Sequence, residues 1–300
     1  MSEILIIGTG ALATLFAARL SGAGRRVAML GTWQSGLNAL RQEGARLVDA
    51  HGKEHAYPVF AADNPRQVRG ARYALVLVKA WQTERAACQL ADCLAADGLA
   101  ITLQNGLGNR ETLIRDLGPA RVAQGTSTTG ATLLGPGLVR AGGEGILSLE
   151  RHPALGPVED ALRSAHFSVQ VVEDARSLIW GKLVINAAIN PLTALLRVPN
   201  GELLKRPAAR GLMNSLAQET AAVAEAEQVP LPFENPIAAV EEVAHKTAGN
   251  HSSMFQDVAR GAPTEIDAIC GAVAKRGKKH GIATPINFAC WQLVRGLDGS

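Results

Sequence analysis

The stretch that most narrows the fold of this chain runs from Glu3 to Leu20. Glu3 to Ile7 reads EILII, an apolar run without alternation, as expected of a strand in a parallel sheet covered on both faces. It passes directly into Gly8-Thr9-Gly10-Ala11-Leu12-Ala13 and then into a helix-like run ending at Leu20. This is the GxGxxA form of the dinucleotide fingerprint. Gly8 permits the tight turn, Gly10 lets the backbone approach a pyrophosphate, and Ala13 keeps helix and strand close. The helix N-terminus then faces the phosphates, and Thr9, Ala11 and Leu12 belong to the same cofactor loop. Between a strand and a helix, the motif predicts an α/β chain whose N-terminal half is a Rossmann-type parallel sheet.

The second strand, Val27 to Leu30, carries the next constraint. An NAD-preferring site places Asp or Glu near its end, on the order of 20 residues beyond the glycines. Here Gly31, Thr32, Trp33 and Gln34 follow, and no carboxylate appears before Glu43. Room is left for a 2′-phosphate, which favours NADP, although no arginine stands at Thr32; Arg41 either reaches that phosphate or is solvated. Val59-Phe60 and Tyr73 to Val78 continue the strands, the latter ending in Lys79-Ala80-Trp81. A helix through Cys88 to Leu94 and a strand from Leu99 to Leu103 lead to Gln104-Asn105-Gly106-Leu107-Gly108. Lys79 and Asn105 are thereby expected on the same strand-end rim as the glycines, where such sheets bind ligands. Val122–Thr129 and Leu138–Leu149 read as further strands extending the sheet, with Gly135-Pro136-Gly137 and Gly142-Gly143 as turns.

After Val172 the β signal stops, Asp174 is a plausible N-cap, and helices follow to the end. The expected division is 1–173, a nucleotide-binding domain, and 174–300, an all-helical substrate-binding and catalytic domain. Helices are predicted over Pro207–Glu227, Ile237–Thr247, Met254–Arg260 capped by Ser252 or Ser253, Glu265–Lys279, and from Pro285 onward. Within Ile179–Asn190 (IWGKLVINAAIN) nine of twelve residues are apolar or glycine, as in a buried helix. Lys182, Asn186 and Asn190 are spaced i, i+4, i+8, so about 100° per residue sets them on one stripe. A polar seam against a neighbouring helix would satisfy any one of them; three in register point to a polar ligand. Small dehydrogenases combine such halves and hold substrate between them. There a protonated lysine suits the developing charge on a ketone oxygen during hydride transfer.

Composition excludes several classes. A chain of 300 residues with 47% hydrophobic and 19% charged residues is an ordinary globular one, long enough for two domains. A net charge of +3 gives no reason to expect nucleic acid or an anionic membrane. No apolar run approaches the roughly 20 residues that span a bilayer, and no basic leader precedes the first strand, so a cytoplasmic location is expected. Cys88, Cys93, Cys270 and Cys290 form no CxxC pair and no metal spacing with histidine, so no metal site is expected. The sequence leaves a homodimer open.

At this point the chain resembles the ketopantoate reductase (2-dehydropantoate 2-reductase) family over essentially its whole length. The shared stretches are the GxGALx start, VKAWQ at Lys79, QNGLGN at Asn105, GTSTTGA near Thr126, WGKLVINAAINPLTAL around Lys182, PNGEL at Asn200, NHSSMFQD at Ser253 and TEID at Glu265. The resemblance implies NADPH-dependent reduction of ketopantoate to (R)-pantoate, in pantothenate synthesis. It makes Lys182 the general acid and Glu265 its assistant, also in contact with bound ligands. Asn186, Asn190, Asn200 and Ser253, with Asn250 as a weaker candidate, match substrate positions. Asn105 matches a residue touching cofactor and substrate, Lys79 a cofactor-binding lysine, and Ala131 a neighbour of the cofactor. Where the family carries an arginine for the 2′-phosphate this chain has Thr32. Two alternatives stand beside this reading. One is a paralogue acting on another 2-keto acid, which would need a change around Asn186, Asn190 or Ser253. The other is a non-catalytic NADP-binding sensor, which would be credible had Lys182 or Glu265 been lost.

Overall fold

A computed structural model describes residues 3–297, which form twelve strands and twelve α-helices. The strands are β1 (Ile4–Ile7), β2 (Val27–Leu30), β3 (Ala45–Val48), β4 (Glu54–Tyr57), β5 (Phe60–Ala62), β6 (Ala71–Val76), β7 (Leu94–Thr102), β8 (Val122–Ser127), β9 (Ala131–Gly135), β10 (Leu138–Ala141), β11 (Ile146–Glu150) and β12 (Ser168–Val172). The helices are α1 (Ala11–Gly22), α2 (Gln34–Glu43), α3 (Thr83–Cys93), α4 (Asn109–Leu117), α5 (Gly156–Ser164), α6 (Arg176–Leu196), α7 (Glu202–Lys205), α8 (Pro207–Ala226), α9 (Pro236–Lys246), α10 (Ser253–Ala259), α11 (Cys270–His280) and α12 (Pro285–Arg295). They divide into two compact units. One comprises the chain up to Gln104 together with Asn109–Ala175; the other comprises Asn105–Gly108 and the chain from Arg176 onward.

The first unit is built on an eight-stranded sheet of order β12-β11-β8-β7-β6-β1-β2-β5, parallel except where β11 meets β8. Successive side chains of a strand point to opposite faces, and this explains the absence of alternation in its central strands. Ile4 and Ile6 enter one core with Val27, Met29, Leu75 and Ile101, while Leu5 and Ile7 enter the other with Ala28, Leu30, Ala74, Val76 and Ala100. All four β1 side chains are 0–1% exposed. At about 1.5–3 kcal/mol for each fully buried aliphatic side chain, these strands anchor the sheet. Helix α1 covers the first face with Ala13, Phe16, Ala17 and Leu20, and the ring of Phe16 lies 4.3 Å from that of Phe167.

A second sheet, β4-β3-β10-β9, packs against α1. It corrects the expectation that residues 138–149 simply extend the main sheet. Leu138–Ala141 pairs with β3 and β9 in the small sheet, and only Ile146–Glu150 joins β8 and β12 in the large one. The glycine-rich segment between them carries the chain across, with Gly142 N–H donating to Gly130 O at 2.8 Å. β3 and β4 were not legible as strands, because their burial is partial.

The second unit is helical, its core formed by α6 with α8, α9, α10 and α12. Contrary to the expectation from apolar run length, α6 at 21 residues is long and apolar enough to cross a bilayer by length and composition. Most of it is buried within this core, where its apolar surface is used. Pro191 lies inside the helix and cannot donate to the carbonyl of Ala187. The Cys270 thiol faces that carbonyl at 3.8 Å. Helix α11 starts at Cys270 rather than Glu265. Residues 265–269 form an irregular turn in which Glu265 O accepts from Ala268 N and Ile269 N, both at 3.1 Å. The four cysteines are free thiols, Cys88 exposed and the others buried.

Candidate active site

In the first unit the polar signals collect where the parallel strands end. Gly8 turns the chain from β1 into α1 at φ +128, backbone that disfavours any side chain. A Cβ there would lie 3.2 Å from the backbone of Leu77, at the end of β6. Gly10 is the N-cap of α1 and makes no side-chain cap, so the first N–H groups of the helix keep their capacity for an anion. Thr9 and Ala13 are buried, Ala11 and Leu12 are half-buried, and Gly10 is exposed. Such a turn fits a dinucleotide pyrophosphate, because the cradle is backbone and nothing bulky can stand at Gly8.

Around this turn, Lys79 is half-buried and opens a short 3-10 turn, its N–H donating to Gln82 Oε1 at 3.3 Å. Gln104 ties two strand ends together, donating from Nε2 to Val78 O at 3.0 Å and to Thr83 Oγ1 at 2.9 Å. Thr32 is exposed between β2 and α2. Arg41 is exposed and makes two bonds: Nε donates to Ala61 O at 2.9 Å and Nη2 pairs with Asp63 at 3.0 Å. It is committed to holding α2 on β5. Ala131 is half-buried at the first position of β9, in the small sheet.

In the second unit three residues from distant parts of the chain meet. Asn105 Nδ2 donates to Glu265 Oε2 at 3.1 Å, and Glu265 acts on the Lys182 ammonium. Lys182 is half-buried as a residue, but its ammonium end sits in surroundings poor in water. Burial pushes its pKa down from 10.5 to about 8, with the Glu265 carboxylate pulling it back up. At pH 7 about nine in ten of the lysines are still protonated. The group is therefore charged at neutral pH yet gives up its proton far more readily than a surface lysine, as a general acid requires. Glu265 is 6% exposed.

Asn186 and Asn190 follow Lys182 along α6, Asn186 half-buried and Asn190 buried. Asn200 belongs to a second group. Its N–H donates to Asn250 O at 3.0 Å and its Nδ2 to Thr247 Oγ1 at 2.9 Å. The hydroxyl of Thr247 is itself spent on Val243 O, which fixes the amide orientation and leaves Asn200 Oδ1 a buried acceptor with no partner among the described residues. Such an atom suits a ligand hydroxyl. Asn250 contributes its carbonyl, while its side chain is exposed. Ser253 is exposed at the first position of α10; the capping hydroxyl is that of Ser252, which accepts from Phe255 N at 3.0 Å and meets Thr193 Oγ1 at 2.7 Å. Thr193 and Thr247 carry no signal in the sequence, whereas Ser252 is one of the two expected caps of α10. Among the described residues no cluster of His, Cys, Asp or Glu could hold a metal ion.

Comparison with known proteins follows the same lines. The family model described as "Ketopantoate reductase PanE/ApbA" matches residues 4–154, and that described as "Ketopantoate reductase PanE/ApbA C terminal" matches 174–298. The 2-dehydropantoate 2-reductase of Halobacterium salinarum is 34% identical over 299 residues, covering 98% of both chains. That of Archaeoglobus fulgidus is 34% identical, covering 99% of this chain and 98% of its own. Among solved structures, the PanE/ApbA family ketopantoate reductase from Ralstonia eutropha superposes with a TM-score of 0.92 at 31% identity, covering 98% of each chain. A D-mandelate dehydrogenase with NADH and anilino(oxo)acetate gives a TM-score of 0.89 at 25% identity, again covering 98% of each. By these matches and by its fold, the chain is an oxidoreductase that belongs to the ketopantoate reductase family.

Proposed function

We propose that this chain reduces 2-dehydropantoate to (R)-pantoate with NADPH, the reductive step of pantothenate biosynthesis. The single observation that carries the reading is the Lys182–Glu265–Asn105 cluster: a buried ammonium brought to about 8 beside a carboxylate that is itself held by an amide. A reduced nicotinamide, when bound, would supply a hydride to the C2 carbonyl carbon. As that bond forms, the carbonyl π pair moves onto oxygen, and Lys182 Nζ delivers a proton there. The neutral amine then recovers a proton from solvent. Glu265 keeps the lysine charged before the transfer, which burial alone would oppose. Asn186, Asn190, Asn200, Asn250 and Ser253 are the proposed substrate contacts, with Asn200 Oδ1 suited to a substrate hydroxyl.

Gly8 to Ala13 would hold the pyrophosphate, with Lys79, Asn105, Ala131 and Glu265 as further cofactor contacts. The preference for NADPH rests on the absence of a carboxylate beside Thr32, since Arg41 is already bound to Asp63. A second reading keeps the chemistry and changes the substrate, and the likeness to a D-mandelate dehydrogenase holding NADH is what favours it. The test is nucleotide consumption by purified protein with ketopantoate, with NADPH and NADH in parallel. Rapid NADPH-dependent turnover supports the proposal. Turnover with NADH alone overturns the cofactor preference. Turnover with an aromatic 2-keto acid but not with ketopantoate favours the second reading.

A further inference from the structure

Glu265 does not start a helix, although the sequence Glu265–Lys279 reads as one. The turn 265–269 directs the Ala268 carbonyl away from a helical ladder, and Leu107 N–H donates to it at 3.0 Å. Gly106 sits at φ +80, where a Cβ would come 2.4 Å from the same carbonyl oxygen and 2.7 Å from the Ala268 Cβ. Leu107 is half-buried against the helical core. One residue earlier, Asn105 Nδ2 reaches Glu265 Oε2 at 3.1 Å. The tetrapeptide Asn105–Gly108 is thus fastened to the turn by a side-chain bond, a backbone bond and a glycine that lets the two backbones touch.

We propose that this fastening is a positioning device for proton transfer: Gly106, Leu107 and Ala268 touch no reacting atom but fix the Glu265 carboxylate against Lys182. The inference rests on the function proposed above. A free glutamate side chain has three rotatable bonds, and its effect on a neighbouring ammonium depends on where the carboxylate spends its time. Holding Oε2 from Asn105, with Asn105 itself held by the next two residues, removes that freedom. The unwound turn is the structural cost, and docking of the loop offsets it.

Among the described residues, several ionisable groups on the elements packed around α6 are engaged elsewhere. On α8, Glu219 accepts from Ile286 N and Asn287 N at 2.9 Å. On α9, Glu241 pairs with Arg210. On α10, Asp257 pairs with Arg260 at 2.9 Å, and on α7 Glu202 pairs with Lys205 at 2.8 Å. On α12, burial pushes the Cys290 thiol up to about 11, so it is neutral. Glu265 is the carboxylate that raises the Lys182 pKa.

The test is the titration of Lys182 in the full-length protein without substrate. It is followed by the Cε signal of labelled lysine and assigned by its loss in Lys182→Arg. Gly106→Ala should displace the loop and weaken the contribution of Glu265, so the midpoint falls by about half a pH unit or more. In a Glu265→Gln background the same substitution should cause no further shift, because the route through the carboxylate is already cut. Asn105→Ala, which places no demand on the backbone, should shift the midpoint in the same direction and serves if Gly106→Ala does not fold. An unchanged midpoint in the folded variants, or an equal shift in the Glu265→Gln background, overturns the inference. Because no turnover is needed, a protein that reduces no keto acid but titrates as expected would count against the proposed function alone.

Discussion

The glycine turn at Gly8–Ala13 and the Lys182–Glu265–Asn105 cluster are made from different parts of the chain. The turn is backbone, contributed by one hexapeptide between β1 and α1, and the phosphate binding proposed for it would rest on N–H groups that every residue carries. The cluster is side chain, and its Asn105–Glu265 bond joins residues 160 positions apart. A backbone site tolerates changes of residue type except where a Cβ intrudes. A side-chain site fails when one functional group is removed, even if the fold is untouched.

The contrast is sharpest at Lys182. Lys182→Ala should lower kcat by about 10²–10⁴-fold while the dissociation constant for nucleotide, read by fluorescence titration, stays within about twofold. Equal loss of both would erase the division of labour. At the cradle the pattern reverses: Gly8→Ala forces a side chain into positive φ against Leu77 and should weaken nucleotide binding by about 1–3 kcal/mol, with keto-acid KM little changed at saturating nucleotide.

A third expectation concerns stability. The Lys182 pKa falls from 10.5 in the open chain to about 8 in the fold, so the unfolded state binds more protons between those values. Wild-type stability should therefore rise with pH through that window. Lys182→Met, which keeps the stem and discards the charge, should be more stable below pH 8 by on the order of 1–3 kcal/mol. The gain should vanish near pH 10.5, and thermal melts across this range would follow it. The smallest effect is expected at the surface. Thr32→Arg should improve NADPH over NADH by about tenfold, since a charge-assisted hydrogen bond is worth about 1.5–3 kcal/mol before solvent screening. No change in the ratio would mean that the 2′-position is read elsewhere.

The strand–turn–helix geometry at Gly8–Ala13 was legible almost completely, because its three parts are consecutive in the chain. The stripe on α6 was equally legible, since Lys182, Asn186 and Asn190 obey one helical period. What lay beyond reach was the partner of the stripe. Nothing local links Glu265 to Lys182, and its role came from family resemblance. The unwinding at 265–269 was hidden for a physical reason: Glu-Ile-Asp-Ala-Ile is adequate helix sequence, and the contact that overrides it comes from Gly106 and Leu107. The tie of Arg41 to Asp63, across 22 positions, was likewise invisible in the local sequence. Ser253 and Ser252 could not be told apart as the α10 cap until the bond from Phe255 N identified Ser252.

Whether Lys182 is the charged acid is read from the pH dependence of kcat/KM for the keto acid, because that parameter follows the free enzyme. If the ammonium donates the proton, kcat/KM is level below pH about 8 and falls about tenfold per unit above it. That limb should be missing from the residual activity of Lys182→Ala. A rate that stays level, or rises, from pH 8 to 10 would contradict the assignment of Lys182 as the acid.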